Sequence, residues 1–211
     1  GWWAQKFGTP NYAAHGGFCS VNMAAAGIYT IGGSFWEFGS PDWEKTELLL
    51  LFGVAEDHDS NPIKRGLGKL KDRSARVVAI NPVRTGYNSI ADQWIGIRPG
   101  TDGLLVLSLV HTLLKRKKID LEYLQSFTNA PFLVNISSTD SNKGLFLRDK
   151  DGFPIVIDHF SGELKRFSDK GVKPSLTKSY SNQNGSFKTV FSLLIEKYLD
   201  NAYSPKLIAP Q

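Results

Sequence analysis

One cysteine, Cys19, stands in the stretch HGGFCSVNMAAAG (15–27), among glycine, alanine and serine and four residues after His15. A thiol in such small-residue company can be a nucleophile or a soft-metal ligand, or simply a small apolar side chain. Pairing with His15 would give a cysteine-hydrolase arrangement, although no third group completes it. A single cysteine excludes an internal disulfide and any C-x-x-C metal site within the chain.

Three loops collect the other residues that could do chemistry. GVAEDHDSNP (53–62) carries Glu56, Asp57, His58 and Asp59. Neighbouring acids repel a phosphate and suit ribose hydroxyls or base N–H groups instead, the alternative being a plain solvated loop. The loop is not G-x-G-x-x-G, so the usual nicotinamide fingerprint is missing. NPVRTGYNSIAD (81–92) offers Arg84 to a phosphate or to a surface ion pair. RPGTDG (98–103) combines the fixed charge of Arg98, a glycine that permits close approach and the start of a helix with its free N–H groups. The Asp102 carboxylate can accept together from the two donors on a guanine edge, which adenine does not present. The alternative for this loop is a plain helix cap made by Thr101 or Asp102. His58, His111 and His159 are scattered, and His111, inside an apolar helix, reads as a hydrogen-bonded core histidine.

The elements that must position these loops follow from hydrophobic periodicity. ELLLLFG (47–53) and ARVVAIN (75–81) read as strands buried on both faces, and WIGIR (94–98) as a third strand. Between the first two, NPIKRGLGKLKDRS (61–74) places Ile63, Leu67 and Leu70 on one helical face, with Ser60 or Asn61 as cap and Pro62 at the first helical position. TDGLLVLSLVHTLL (101–114) is a largely apolar helix closed by KRKK (115–118), cations that suit the C-terminal end of its dipole. Further helices are expected at GWWAQKF, Cys19–Ile31, 120–129 and 187–203, with a loop over 32–43. The order predicts an α/β fold, a mainly parallel Rossmann-like sheet flanked by helices. Residues 131–186 form an excursion of short strands or irregular loops. The three loops then share the rim where such sheets bind ligands.

The 211 residues are 41% hydrophobic and 21% charged with a net charge of +5, an ordinary globular balance that suits an anionic ligand. The charge is not gathered into a nucleic-acid-binding motif. No apolar run reaches the roughly 20 residues of a membrane helix, and GWWAQKFGTP lacks the features of a signal peptide.

HGGFCSVN, LLLLFGVAEDHDSNPIKRG and above all ADQWIGIRPGTDGLL (91–105), in this order, resemble the molybdopterin oxidoreductases of the dimethyl-sulfoxide-reductase superfamily. The resemblance covers residues 11–130 and continues more loosely through NGSFKTVFSLLIEKYLDNAYSP (184–205). It implies a molybdenum or tungsten bis-molybdopterin guanine dinucleotide cofactor, with Cys19 as the residue that ligates the metal. It also implies that Gly53, Val54, Glu56, Asp57 and His58 lie near the pterin and diphosphate. Asn81, Pro82, Val83 and Arg84 would meet the nucleotide, Asn81 standing where aspartate is frequent. Pro99, Gly100, Thr101 and Asp102 would face the guanine. Ser20 occupies the position that carries histidine in formate dehydrogenases. The resemblance further implies that residues 1–211 are a single dinucleotide-binding lobe of a larger enzyme, inactive alone. Its partners would be a small-molecule substrate, the remaining domains of the parent enzyme and an electron-transfer partner. An iron–sulfur cluster would belong to an N-terminal part. Compartment, whether cytoplasmic or periplasmic, stays open. A non-catalytic nucleotide-binding module and a non-redox hydratase of the same superfamily are the alternative functions.

Overall fold

ELLLLFG forms strand β1 (Leu48–Phe52), ARVVAIN forms β2 (Arg76–Asn81) and the third apolar run forms β3 (Gln93–Gly96). The structure is a computed structural model describing residues 1–14, 16, 19–33, 41–54, 63–84, 86–137, 141–183 and 185–209. It divides into two units, Gly1–Gly96 and Ile97–Gln211.

In the first unit β2 is the central strand of a parallel sheet, paired with β1 from Leu48↔Arg76 to Phe52↔Ile80 and with β3 from Val78↔Gln93 to Asn81↔Gly96. Helices α1 (Trp2–Phe7) and α2 (Ser20–Ile31) precede the sheet, as expected. Helix α3 (Ile63–Asp72) joins β1 to β2 and turns Leu67 and Leu70 onto Leu51 and Val77, with Trp43, Leu49 and Ile63 at the border of this core. The proposed cap residues 60–62 lie outside the described residues. A 3₁₀ turn (Gly86–Ser89) leads from β2 to β3 and buries Tyr87 and Asn88.

Among the described residues β1 is covered on one face only. Leu48 is 53% and Leu50 39% exposed, whereas Leu49 and Leu51 meet the core. The reason is position and pleat: β1 is an edge strand, and α3 covers the face on which alternate residues 49 and 51 stand. β2, central and hydrogen-bonded on both sides, keeps Val77–Ile80 buried.

The second unit begins with helices α4 (Asp102–Lys115) and α5 (Leu121–Phe127); the Asp120 side chain accepts from Tyr123 N at 2.8 Å to start α5. Lys115–Lys118 are exposed at the end of α4, as the dipole argument requires. Short strands then follow. β4 (Leu133–Asn135), β8 (Gly185–Thr189) and β7 (Ser179–Asn182) make one antiparallel sheet in that order, and β5 (Ile155–Ile157) pairs antiparallel with β6 (Leu164–Arg166). Among the described strands the parallel arrangement is therefore confined to β1–β3, and the expectation of a mainly parallel sheet is corrected to a mixed α/β fold. Hairpins need only short turns, which polar stretches such as DKDG (149–152) supply, whereas parallel pairs need crossovers. Leu133, Ile157 and Phe187 form a core beneath these strands. Residues 187–189, expected to open the last helix, end β8 instead: Thr189 stays extended and its Oγ1 accepts from Ser192 N at 3.2 Å, so α6 begins at Val190 and runs to Tyr198. A 3₁₀ turn (Asn201–Tyr203) and α7 (Pro205–Ile208) follow. His111 is a core histidine as expected, 3% exposed, but satisfied at one nitrogen: its Nδ1–H donates to Tyr198 O across 2.8 Å and ties α4 to α6, while its buried Nε2 meets no partner among the described residues.

Asp158, 6% exposed, closes the β5–β6 hairpin. Burial pushes its carboxyl upward, but Lys165 Nζ (3.2 Å), Ser161 Oγ (3.0 Å) and the Lys173 and Phe160 N–H groups outweigh that and bring it to about 2. A native value below the unfolded one contributes stability that is complete above the unfolded value of about 4 and is lost as pH falls through about 2. Asp158→Asn is therefore expected to weaken the hairpin at neutral pH and to flatten its stability between those limits. Hydrogen exchange of the β5 and β6 amides checks this, and an unchanged acid limb contradicts it.

Candidate functional site

The carboxyl ends of β1, β2 and β3 lie side by side, since Phe52 pairs with Ile80 and Asn81 with Gly96. The loops after β1 and β2 thus share one rim in the first unit. Gly53 extends the ladder by donating to Ile80 O at 3.0 Å, then turns the chain out with φ +61°. Val54 drops back against the α3 core. Glu56, Asp57 and His58 lie outside the described residues.

After β2, the half-buried Asn81 donates through Nδ2 to Asn88 Oδ1 (2.9 Å), and Asn88 Nδ2 donates to Val83 O (2.7 Å). Pro82, Val83 and Arg84 stand exposed above this pair. Trp94 Nε1 donates to Asn81 O at 3.1 Å and its ring lies against Gly96, where a Cβ would come within 3.0 Å of it. Sequence reasoning places no role on Asn88 or Trp94; a loop asparagine and a strand tryptophan carry no signal until the strands are paired.

Cys19 is exposed and free. It occupies the cap position before α2, where its carbonyl accepts from Met23 N at 3.0 Å while its side chain makes no capping bond. The sulfur is open to a ligand rather than sealed in packing. His15 lies outside the described residues.

In the second unit, Arg98 and Pro99 are exposed. Gly100 adopts φ +82°, and a Cβ there would meet nothing within 4 Å, so the backbone can be approached closely. Thr101 does not cap α4: its Oγ1 donates to Arg98 O at 2.7 Å. Leu105 N is the first to close a helical turn, onto Thr101 O at 3.1 Å. The N–H groups of Asp102, Gly103 and Leu104 are the orphan donors of the helix start. The side-chain cap weighed as the alternative for this loop is not formed, and the half-buried Asp102 carboxylate makes no ion pair with a described residue. Such a start can take an anion on its N–H groups and a paired donor on its carboxylate.

Among the described residues no three histidine, cysteine or acidic side chains gather as a metal site, and no helix is long and apolar enough to cross a membrane. Comparison with protein families matches residues 3–188 to the family described as Molybdopterin oxidoreductase. The chain belongs to the molybdopterin oxidoreductase family. Among relatives, a sulfite dehydrogenase subunit of Allochromatium vinosum is 43% identical over 222 residues, covering 100% of this chain and 22% of that protein. A tetrathionate reductase subunit of Salmonella typhimurium is 27% identical, covering 76% of this chain and 18% of its own length. The nitrate reductase alpha chain of Bacillus subtilis is 29% identical, covering 53% and 10%. This molybdopterin oxidoreductase chain thus spans about a fifth or less of the relatives it matches. The family implies a molybdopterin cofactor, and the residues described fit one. One exposed soft donor suits a metal whose remaining ligands come from a bound group. An open glycine turn ahead of orphan helix N–H groups suits an anionic group such as a phosphate.

Proposed function

We propose that this chain is one cofactor-binding lobe, residues 1–211 with the 131–186 excursion inside it, of a molybdenum- or tungsten-dependent oxidoreductase whose substrate is a sulfur oxyanion such as sulfite. The observation that carries the reading is the 43% identity to a sulfite dehydrogenase over the whole chain. The net charge of +5 suits both an anionic cofactor and an anionic substrate. The metal–pterin group, when bound, supplies two-electron redox chemistry. Cys19 offers it a thiolate, and the exposed cap position leaves that sulfur accessible. Gly53, Val54, Glu56, Asp57 and His58 serve the pterin and diphosphate side, and Asn81–Arg84 the nucleotide, with Arg84 free to meet a phosphate. Pro99, Gly100 and Thr101 shape the guanine-facing turn, and Asp102 accepts from the guanine N1–H and amino group. Ser20 in place of a histidine argues against formate as substrate. The remaining domains of the parent enzyme complete the enclosure, and an electron-transfer partner, reached through an iron–sulfur cluster held outside these residues, takes up the electrons.

The test is made on the purified parent enzyme. Molybdenum or tungsten and guanosine nucleotide are expected to co-purify in a fixed ratio, and sulfite to reduce an artificial electron acceptor. Active protein free of metal and guanosine overturns the cofactor assignment. A loaded enzyme that sulfite leaves oxidised overturns the substrate.

A further inference from the structure

Asn88 is 2% exposed, in the 3₁₀ turn between β2 and β3, and its amide is used at both ends. Oδ1 accepts from Asn81 Nδ2 at 2.9 Å, and Nδ2 donates to Val83 O at 2.7 Å. The Asn81 carbonyl in turn accepts from Trp94 Nε1 at 3.1 Å. The end of β2, the loop Pro82–Arg84, the turn and β3 are thereby tied through two amides.

The polarity of this pair is forced. A backbone carbonyl can only accept, so Asn88 must present its N–H to Val83. That leaves Oδ1 for residue 81, which must then donate. A carboxylate at 88 sets an acceptor against Val83 O. A carboxylate at 81 sets one against Oδ1, or makes Asn88 turn over and abandon Val83. A buried polar group left facing its own kind costs more than the bond it replaces.

We infer that Asn88 is a positioning residue for nucleotide binding: by holding the Val83 carbonyl it fixes where Pro82, Val83 and Arg84 stand, and it dictates an amide at position 81. The inference rests on the reading of Pro82–Arg84 as the nucleotide-facing loop. None of these three side chains needs to touch Asn88 for the effect, because the clamp acts on the main chain.

The experiment measures how fast guanosine nucleotide leaves the parent holoenzyme, assayed as guanosine released from protein freed of unbound small molecules. Asn88→Asp changes shape hardly at all but replaces the donor. At pH 7.5 it is expected to lose nucleotide about tenfold faster than wild type, equivalent to one charge-free hydrogen bond. Lowering the pH toward about 5 protonates the new acid, whose burial beside a carbonyl raises its pKa, and restores a donor toward Val83. Retention should then recover, a response that simple loosening of the fold does not produce. Should Asn88→Asp not give folded holoenzyme, Asn81→Asp, at a half-buried position, creates the same conflict from the other side and must show the same loss. Variants that hold nucleotide as long as wild type at pH 7.5 overturn the inference alone. A wild-type holoenzyme without guanosine overturns the cofactor reading and the inference with it.

Discussion

Replacing Cys19 by serine in the parent enzyme is expected, on the proposed ligation of the metal by its sulfur, to lower sulfite-dependent turnover by at least about 100-fold, because even outer partners of metal ligands are worth 10–100-fold and a direct ligand is worth no less. Serine is nearly the same shape and removes only the soft sulfur donor. The fold has no reason to object. Cys19 sits at the cap position of α2 with an exposed side chain that makes no capping bond, and serine is among the residues that cap helices well. Guanosine content should stay at the wild-type level, since the residues assigned to the nucleotide are elsewhere in the chain. That separation gives the prediction its force. Lost turnover with retained nucleotide assigns the sulfur to the metal. Unchanged turnover makes Cys19 an inert surface thiol and overturns its assignment to the metal. Parallel loss of nucleotide and turnover would mean that α2 had been disturbed.

How legible each feature is in the sequence varies with the distance over which it is determined. α3 and the three parallel strands are legible because their signals are local: Ile63, Leu67 and Leu70 recur at helical spacing, and VVAI (77–80) is an unbroken apolar run. The exposure of Leu48 and Leu50 is not, because a run of leucines looks the same in an edge strand as in a central one, and strand order is a long-range property. The helical face Val190, Phe191, Leu194 and Tyr198 is legible, but the sequence extends that helix back to Phe187, three residues too early. The deciding feature is Thr189 capping onto Ser192, which competes with that pattern only once β8 pairs with β4 and β7. At the RPGTDG loop the sequence offers a cap or a binding turn. Thr101 bonding back to Arg98 removes the Thr101 cap, a choice made by main-chain geometry that no spacing encodes. The Asn81–Asn88 pair is invisible for the same reason: the two asparagines are seven residues apart and face each other only because the turn folds back under the strand end.

Within the first unit α3 packs against Trp43, and there two glycines of one helix should respond in opposite directions. A Cβ at Gly66 would come within 2.4–2.5 Å of three atoms of the Trp43 ring, whereas one at Gly68 meets nothing within 4 Å. Alanine gains about 1 kcal/mol over glycine in a helix interior, so Gly68→Ala is expected to stabilise the unit by about 0.5–1 kcal/mol. Gly66→Ala has the same propensity gain but must move an indole that cannot easily yield. Trp43 packs into the core with Leu51 and Leu67, its carbonyl accepts from Arg73 Nη1 at 2.6 Å, and Thr46 Oγ1 braces the turn by donating to Asp42 O at 2.6 Å. Overpacking of a filled core costs about 1–3 kcal/mol, and rigid ring atoms met this closely place Gly66 at the upper end, for a net loss of about 2 kcal/mol. Native-state hydrogen exchange of the β2 amides, Val77 to Ile80, reads both effects without requiring the whole protein to unfold. Their protection should fall roughly 30-fold in Gly66→Ala and rise severalfold in Gly68→Ala. Equal changes in the two variants would show that helix propensity alone governs α3 and that the close approach to Trp43 does not hold the strand ends in place.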